Sequence, residues 1–125
     1  MRLLLDTHVL LWWLDDSAAL SEEARRAIGD PENLVYVSAV SIWEVVIKRA
    51  LGKLDIPTKW ADALAEEPFR RLPMTWEHAL EVRNLPDVHR DPFDRLLIAQ
   101  AKVENLTLVT GDDLLLRYGI ASLKA

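Results

Sequence analysis

At 125 residues, half of them hydrophobic, the chain is long enough for one domain with a sizeable core and too short for two. With no cysteine it has no disulfide framework, thiol nucleophile or thiolate metal site, and no apolar run approaches the roughly 18 residues of a membrane span. A net charge of −5 argues against broad adhesion to nucleic acid, while still allowing a nucleic-acid substrate at a local basic rim.

The run MRLLL suits a buried parallel strand, and Asp6 stands where that strand stops. In open parallel sheets this edge is where ligands bind, although Asp6 equally serves as the cap of a helix starting at Thr7. Because Asp6 interrupts the apolar run almost at once, the start resembles neither a signal nor a transit peptide. The expected compartment is a reducing cytoplasm, away from membranes. Thr7 to Leu14 reads as a short helix, apolar around most of its surface. Trp12 and Trp13 point about 100° apart on it, so one is expected inside and the other at a partner surface, unless each finds its own neighbours.

Ser21 before Glu22 and Glu23 opens a second helix, which Gly29-Asp30-Pro31 stops. Leu34 to Val37 is a second strand. A helix opened by Ser38 or Ser41 follows to about Leu51, closed by Gly52. Its residue Trp43 is expected in the core. Thr58 is expected to cap a weaker helix through Glu66, and Phe69 to Leu72 to form a short strand. Thr75 starts another helix, ended by the loop Pro86 to Arg90. Asp91-Pro92 is a cap followed by proline at the first helical position, opening a helix to about Glu104. Leu106 to Val109 is a further strand and Ala121 to Leu123 a last one. Strands alternating with helices predict a single α/β domain over residues 1–125, with a parallel sheet of four to five strands flanked by helices.

In such a sheet the C-terminal ends of strands and the N-terminal ends of helices share one edge. Topology therefore brings Asp6, Glu44, Asp94 and Asp112 to the same rim. Each has a plainer explanation. Ser41 and Glu44 match a capping box, and Glu44 with Lys48 an exposed helical ion pair worth about 0.3–0.5 kcal/mol. Asp91 and Asp94 suit a helix start, and Asp112-Asp113 a polar turn. Chance is a poorer account of all four on one edge. Two carboxylates about 5 Å apart repel by about 3 kcal/mol at an effective dielectric of about 20, so such a group separates, takes up protons or binds a cation. Carboxylates without cysteine or paired histidines select Mg²⁺ or Mn²⁺ before Zn²⁺, and such ions act mostly on phosphate oxygens.

The stretches LLLDTHVLLWW, SAVSIWEVVIKRALGKL, HRDPFDRLLIAQA and LTLVTGD together resemble the PIN domain, most closely the VapC-type toxin ribonucleases of toxin–antitoxin pairs. Asp6, Glu44, Asp94 and Asp112 fall on that family's four acidic positions, and Thr110 on the hydroxyl of its T-x-D step. The resemblance implies a PIN-like fold and a Mg²⁺- or Mn²⁺-dependent endoribonuclease. It also implies a homodimer held in check by an antitoxin protein. Asp6 and Asp94 are then the expected direct metal ligands, completed by Glu44 and Asp112, with Asp91 in reserve. Asp113 stands where relatives often carry proline, which leaves Asp112 or Asp113 open; the T-x-D spacing favours Asp112. The expected reaction is hydrolysis of an RNA phosphodiester by metal-activated water, leaving a 5′-phosphate. Thr7 and Thr110 are expected to orient the acids or a water, or else to serve as a helix cap and a strand end.

Arg90 and Arg95 flank the acidic helix start and are candidates for holding substrate phosphate. His8, His78 and His89 are too scattered for a metal site. The basic end of the third helix, Lys48, Arg49 and Lys53, is also explained by the helix dipole. Two other classes remain to be separated. A receiver-like signalling domain needs a phosphorylatable aspartate ending its middle strand and a lysine ending a later one; strand two ends in Ser38, and LTLVT is followed by Gly-Asp. A catalytically silent PIN-fold binding module would be expected to lack one of the acids, and none is missing.

Overall fold

The computed structural model describes residues 1–88 and 91–125. Five parallel strands, β1 (Arg2–Leu5), β2 (Leu34–Ser38), β3 (Arg70–Leu72), β4 (Thr107–Thr110) and β5 (Ser122–Lys124), form one sheet in the order β3-β2-β1-β4-β5. Helices α1 (Thr7–Leu14), α2 (Glu22–Gly29), α3 (Ala39–Ala50), α4 (Trp60–Ala65), α5 (Trp76–Glu81) and α6 (Pro92–Glu104) make the connections. This is the expected architecture, at the upper strand count.

Strand periodicity divides the core. Leu3 and Leu5 of β1 face a cluster with Val9, Leu10, Leu20, Ala24 and Ile28. Leu4 points the other way, to Val40, Leu97, Ile98, Ala101 and Leu115. All three leucines are fully buried, each contributing about 1.5–3 kcal/mol of apolar transfer. Such a strand is leucine on every residue because both of its faces are covered.

The central position belongs to β1, so the middle strand runs directly into Asp6. Ser38 therefore carries no weight against a receiver-type reading. The final strand does end near a lysine, Lys124, but that residue pairs with Asp113 at the surface. Separation of the two classes rests on the relatives described below.

Local chemistry sets most element ends. Ser21 accepts from the Ala24 N–H to cap α2, and Asp91 accepts from the N–H groups of Phe93 (2.8 Å) and Asp94 (3.1 Å) to cap α6. Gly52 takes the left-handed conformation after α3 (φ 73°), which costs glycine nothing. Of three boundaries, the first settles an open choice, the second departs from expectation and the third holds. The cap of α3 is Ser38, not Ser41, its hydroxyl accepting from the Val40 N–H. Thr58 does not cap α4, which starts at Trp60 without a side-chain cap; its hydroxyl accepts instead from Arg49 Nη2 at 3.1 Å. The strand over Arg70 and Arg71 is real because β3 is the sheet edge, where both arginines are exposed.

Candidate active site

The sheet's carboxyl edge gathers the chemistry. Asp6 is 4 % exposed and stands both at the end of β1 and at the cap of α1. Its Oδ1 accepts from the Val9 N–H at 2.8 Å, capping α1, while its Oδ2 accepts from the Thr110 hydroxyl at the end of β4. That hydroxyl also accepts from the Asp112 N–H at 3.0 Å. Burial pushes the Asp6 carboxyl above its ordinary range; the Thr110 and Val9 hydrogen bonds and nearby His8 oppose this, and the charge of Asp112 adds to it. Asp112 is thus the acid beside Asp6. Asp113 is exposed and turned to Lys124.

Glu44 is 3 % exposed. With α3 capped at Ser38, it lies in the second turn, where no capping box is available to it. The Thr7 hydroxyl donates to its Oε1 at 2.6 Å and stands 3.0 Å from the Ser41 hydroxyl, while Lys48 Nζ donates to its Oε2 at 2.5 Å. The helical ion pair exists, but its carboxylate is buried, so the weak surface value does not apply. The Lys48 side chain is 29 % exposed and its ammonium lies 5.8 Å from the centre of the Phe93 ring. The Glu44 bond holds this ammonium above its ordinary range; partial burial opposes that, and the charges of Glu44, Asp91 and Asp94 add to it. Lys48 therefore links Glu44 on α3 to the acidic start of α6.

The expected site residues reach this rim to different degrees. Thr110 meets Asp6 directly, and Thr7 meets Glu44 rather than capping a helix. Asp94, half-buried in the first turn of α6, and Asp91 lie within electrostatic range of Lys48. Arg95 directs its guanidinium to the carbonyls of Pro86 (3.0 Å) and Val82 (3.3 Å), bracing the loop before α6. Arg90, like His89, lies outside the described residues. Ser41 and Lys48 are the residues that sequence reasoning undervalued. They stand three residues before and four after Glu44, on its own helical face, and that spacing was the available signal.

Trp43 corrects an expectation. It is 54 % exposed, edge-on to Phe93 at 5.2 Å; burial of its neighbours Glu44 and Val45 turns it outward. Trp12 and Trp13 are both half-buried against different partners. Trp13 meets Phe69, whereas Trp12 meets His8 and covers Gly111, where an added Cβ would lie 3.0 Å from the ring. A groove of about 730 Å³ between α3, α4 and β3, walled by Ile42, Trp43, Trp60, Leu64 and Phe69, contains none of the four acids. Its lining is mostly apolar, with Glu67, Arg70 and Arg71 beside the aromatic wall, and it lacks the clustered carboxylates that make the acid rim the better candidate.

Asp6, Glu44, Asp94 and Asp112 supply oxygen donors alone, the set preferred by hard divalent cations. Among the described residues, no three acids or histidines stand together as a ready-made metal cage. The two most buried acids are instead held by hydroxyl, amide and ammonium groups of the protein. Chemically the donors fit Mg²⁺ or Mn²⁺.

The family model of the PIN domain matches residues 3–121, nearly the whole of this parallel sheet and its helices. The chain belongs to the PIN-domain family. Among its relatives, Ribonuclease VapC22 of Mycobacterium tuberculosis (strain ATCC 25618 / H37Rv) is 35 % identical, the match covering 87 % of this chain and 85 % of that protein. Similar folds occur in VapBC2 from Rickettsia felis bound to a promoter DNA fragment (TM-score 0.76, 15 % identity, 99 % and 98 % of the two chains) and in FitAcB from Neisseria gonorrhoeae (TM-score 0.68, 21 % identity, 98 % and 96 %).

Proposed function

We propose that this chain is a divalent-metal-dependent endoribonuclease and the toxin of a toxin–antitoxin pair, acting as one PIN unit over residues 1–125. The observation that carries the reading is Asp6, a carboxylate kept almost wholly out of water at the end of the central strand. Such burial costs stability, and a buried acid kept at that cost is a candidate for function. The ribonuclease relative supports RNA as substrate, and the toxin–antitoxin complexes with this fold support an antitoxin partner.

Asp6 and Asp94 would hold Mg²⁺ or Mn²⁺ directly, with Glu44 and Asp112 completing the set. When bound, the ion supplies a water activated for attack and neutralises charge at the phosphorus centre. The protein's own contribution is positioning. Thr110 and the Val9 N–H fix the rotation of the Asp6 carboxylate, and Thr7 fixes that of Glu44. Thr110 also accepts from the Asp112 N–H, so one hydroxyl sets two acids against each other. Trp12 lies over Gly111 and keeps that turn close to α1. Homodimerisation and a cytoplasmic location belong to the same reading. Among the described residues, no helix is long and apolar enough to cross a membrane.

Cleavage of RNA by the purified protein in Mg²⁺ or Mn²⁺ tests the reading, with 5′-phosphate ends as the expected product. Asp6→Asn is expected to lower the rate by about a thousandfold or more with an unchanged circular dichroism spectrum. Equal cleavage by the variant, or cleavage that survives EDTA, overturns the proposal.

A further inference from the structure

We infer that Lys48 is a resident counter-cation of the acid rim and sets how tightly the site takes a divalent ion. The inference deepens the proposed metal-dependent function and rests on it. Three observations carry it. The Lys48 ammonium bonds at 2.5 Å to one oxygen of Glu44, whose other oxygen accepts from the Thr7 hydroxyl at 2.6 Å, so both oxygens are engaged. Glu44 is buried, so the pair is poorly screened by solvent. The same ammonium lies 5.8 Å from the centre of the Phe93 ring, the residue before Asp94 in the first turn of α6. Lys48 thereby stands between Glu44 of α3 and the acidic first turn of α6.

A single-charge cation in that place has two consequences. It relieves repulsion among the acids while the site holds no metal, so the folded chain tolerates them. It also repels an arriving divalent ion and must surrender part of Glu44 to it. An exposed helical pair would do neither.

The test is titration of the purified chain with Mn²⁺ alone, followed by calorimetry and by the electron paramagnetic resonance signal of free Mn²⁺. Lys48→Met is expected to bind about tenfold more tightly than the unsubstituted chain, the order of effect of removing one poorly screened like charge. Lys48→Arg, which keeps the charge, and Lys53→Met, which removes an exposed charge outside the rim, are expected to stay within about twofold. Thermal unfolding gives a second readout: metal-free Lys48→Met unfolds at lower temperature, and Mn²⁺ raises its Tm by more than it raises that of the unsubstituted chain. Should metal-free Lys48→Met be unfolded, recovery of the folded spectrum on adding Mn²⁺ supports the inference and failure to recover overturns it. Unchanged or weaker Mn²⁺ binding by Lys48→Met, where the unsubstituted chain binds, overturns the inference and leaves the proposed function standing. No Mn²⁺ uptake by any of these proteins overturns both.

Discussion

His78 and Asp6 are both buried, and the structure treats them in opposite ways. His78, on α5, turns its ring towards α6, with its Nδ1 accepting from the Thr75 N–H at 3.0 Å, which places the ring proton on Nε2, donated to Glu104 at 2.8 Å. Gln100 approaches the same Nδ1 at 3.3 Å and accepts from the Ser38 hydroxyl at 2.5 Å; Ser38 in turn caps α3. This interior network joins β2, α3, α5 and α6 through mostly neutral groups. At the carboxyl edge, by contrast, the buried groups are carboxylates: among the described residues no cation is bonded to Asp6, and Glu44 is paired with Lys48. Satisfied neutral networks specify a fold. A rim of buried like charges works against the fold, and its retention points to chemistry.

The comparison predicts opposite outcomes for truncation at the two places. His78→Ala removes half of the α5 capping box and leaves the buried Thr75 N–H without its acceptor, so it should cost about 2–4 kcal/mol of stability. Cleavage per folded molecule should remain within about twofold. Chemical denaturation paired with active-site-normalised rates checks this, and a selective loss of rate would erase the distinction between the regions.

Thr7→Val frees one Glu44 oxygen without touching the charge. It should slow RNA cleavage by about tenfold, with Thr7→Ser restoring most of the rate. An equally impaired serine variant would mean that the methyl packing, not the hydroxyl, matters.

Asp6→Asn sharpens the electrostatic side. Because burial raises the Asp6 carboxyl in the folded chain, its charged form disfavours folding at neutral pH. The metal-free Asn variant should therefore be more stable than the unsubstituted chain at pH 7. The difference should close as pH falls through the raised folded value towards the ordinary one near 3.8. Denaturant midpoints across that range decide it, and a variant less stable at pH 7 would contradict the direction of the shift. The smallest effect is expected at Asp113, whose partner Lys124 is exposed. Asp113→Asn should change stability by no more than about 0.5 kcal/mol and leave cleavage unaltered. A large loss of cleavage would move the fourth acid from Asp112 to Asp113.

These contrasts also explain what was legible in the sequence. The bounds of α1 and α2 and the cap of α6 followed from capping residues acting within one helical turn. Trp43 was misplaced because the alternation around α3 does not say which face the buried Glu44 will occupy. Lys48 read as a surface residue because its inward turn depends on Phe93, more than forty positions away. The His78 network was likewise invisible, since Ser38, Gln100 and Glu104 converge only through the tertiary fold. Local chemistry was readable, and long-range pairing of polar side chains was not.

The proposed role of the acid rim is tested most directly by anomalous diffraction from crystals soaked in Mn²⁺. The account predicts a peak about 2.0–2.3 Å from carboxylate oxygens of both Asp6 and Asp94, with Glu44 or Asp112 at the same ion or one water away. A peak elsewhere on the molecule, or an ordered rim with Asp6 and Asp94 directed apart and no peak between them, would contradict it.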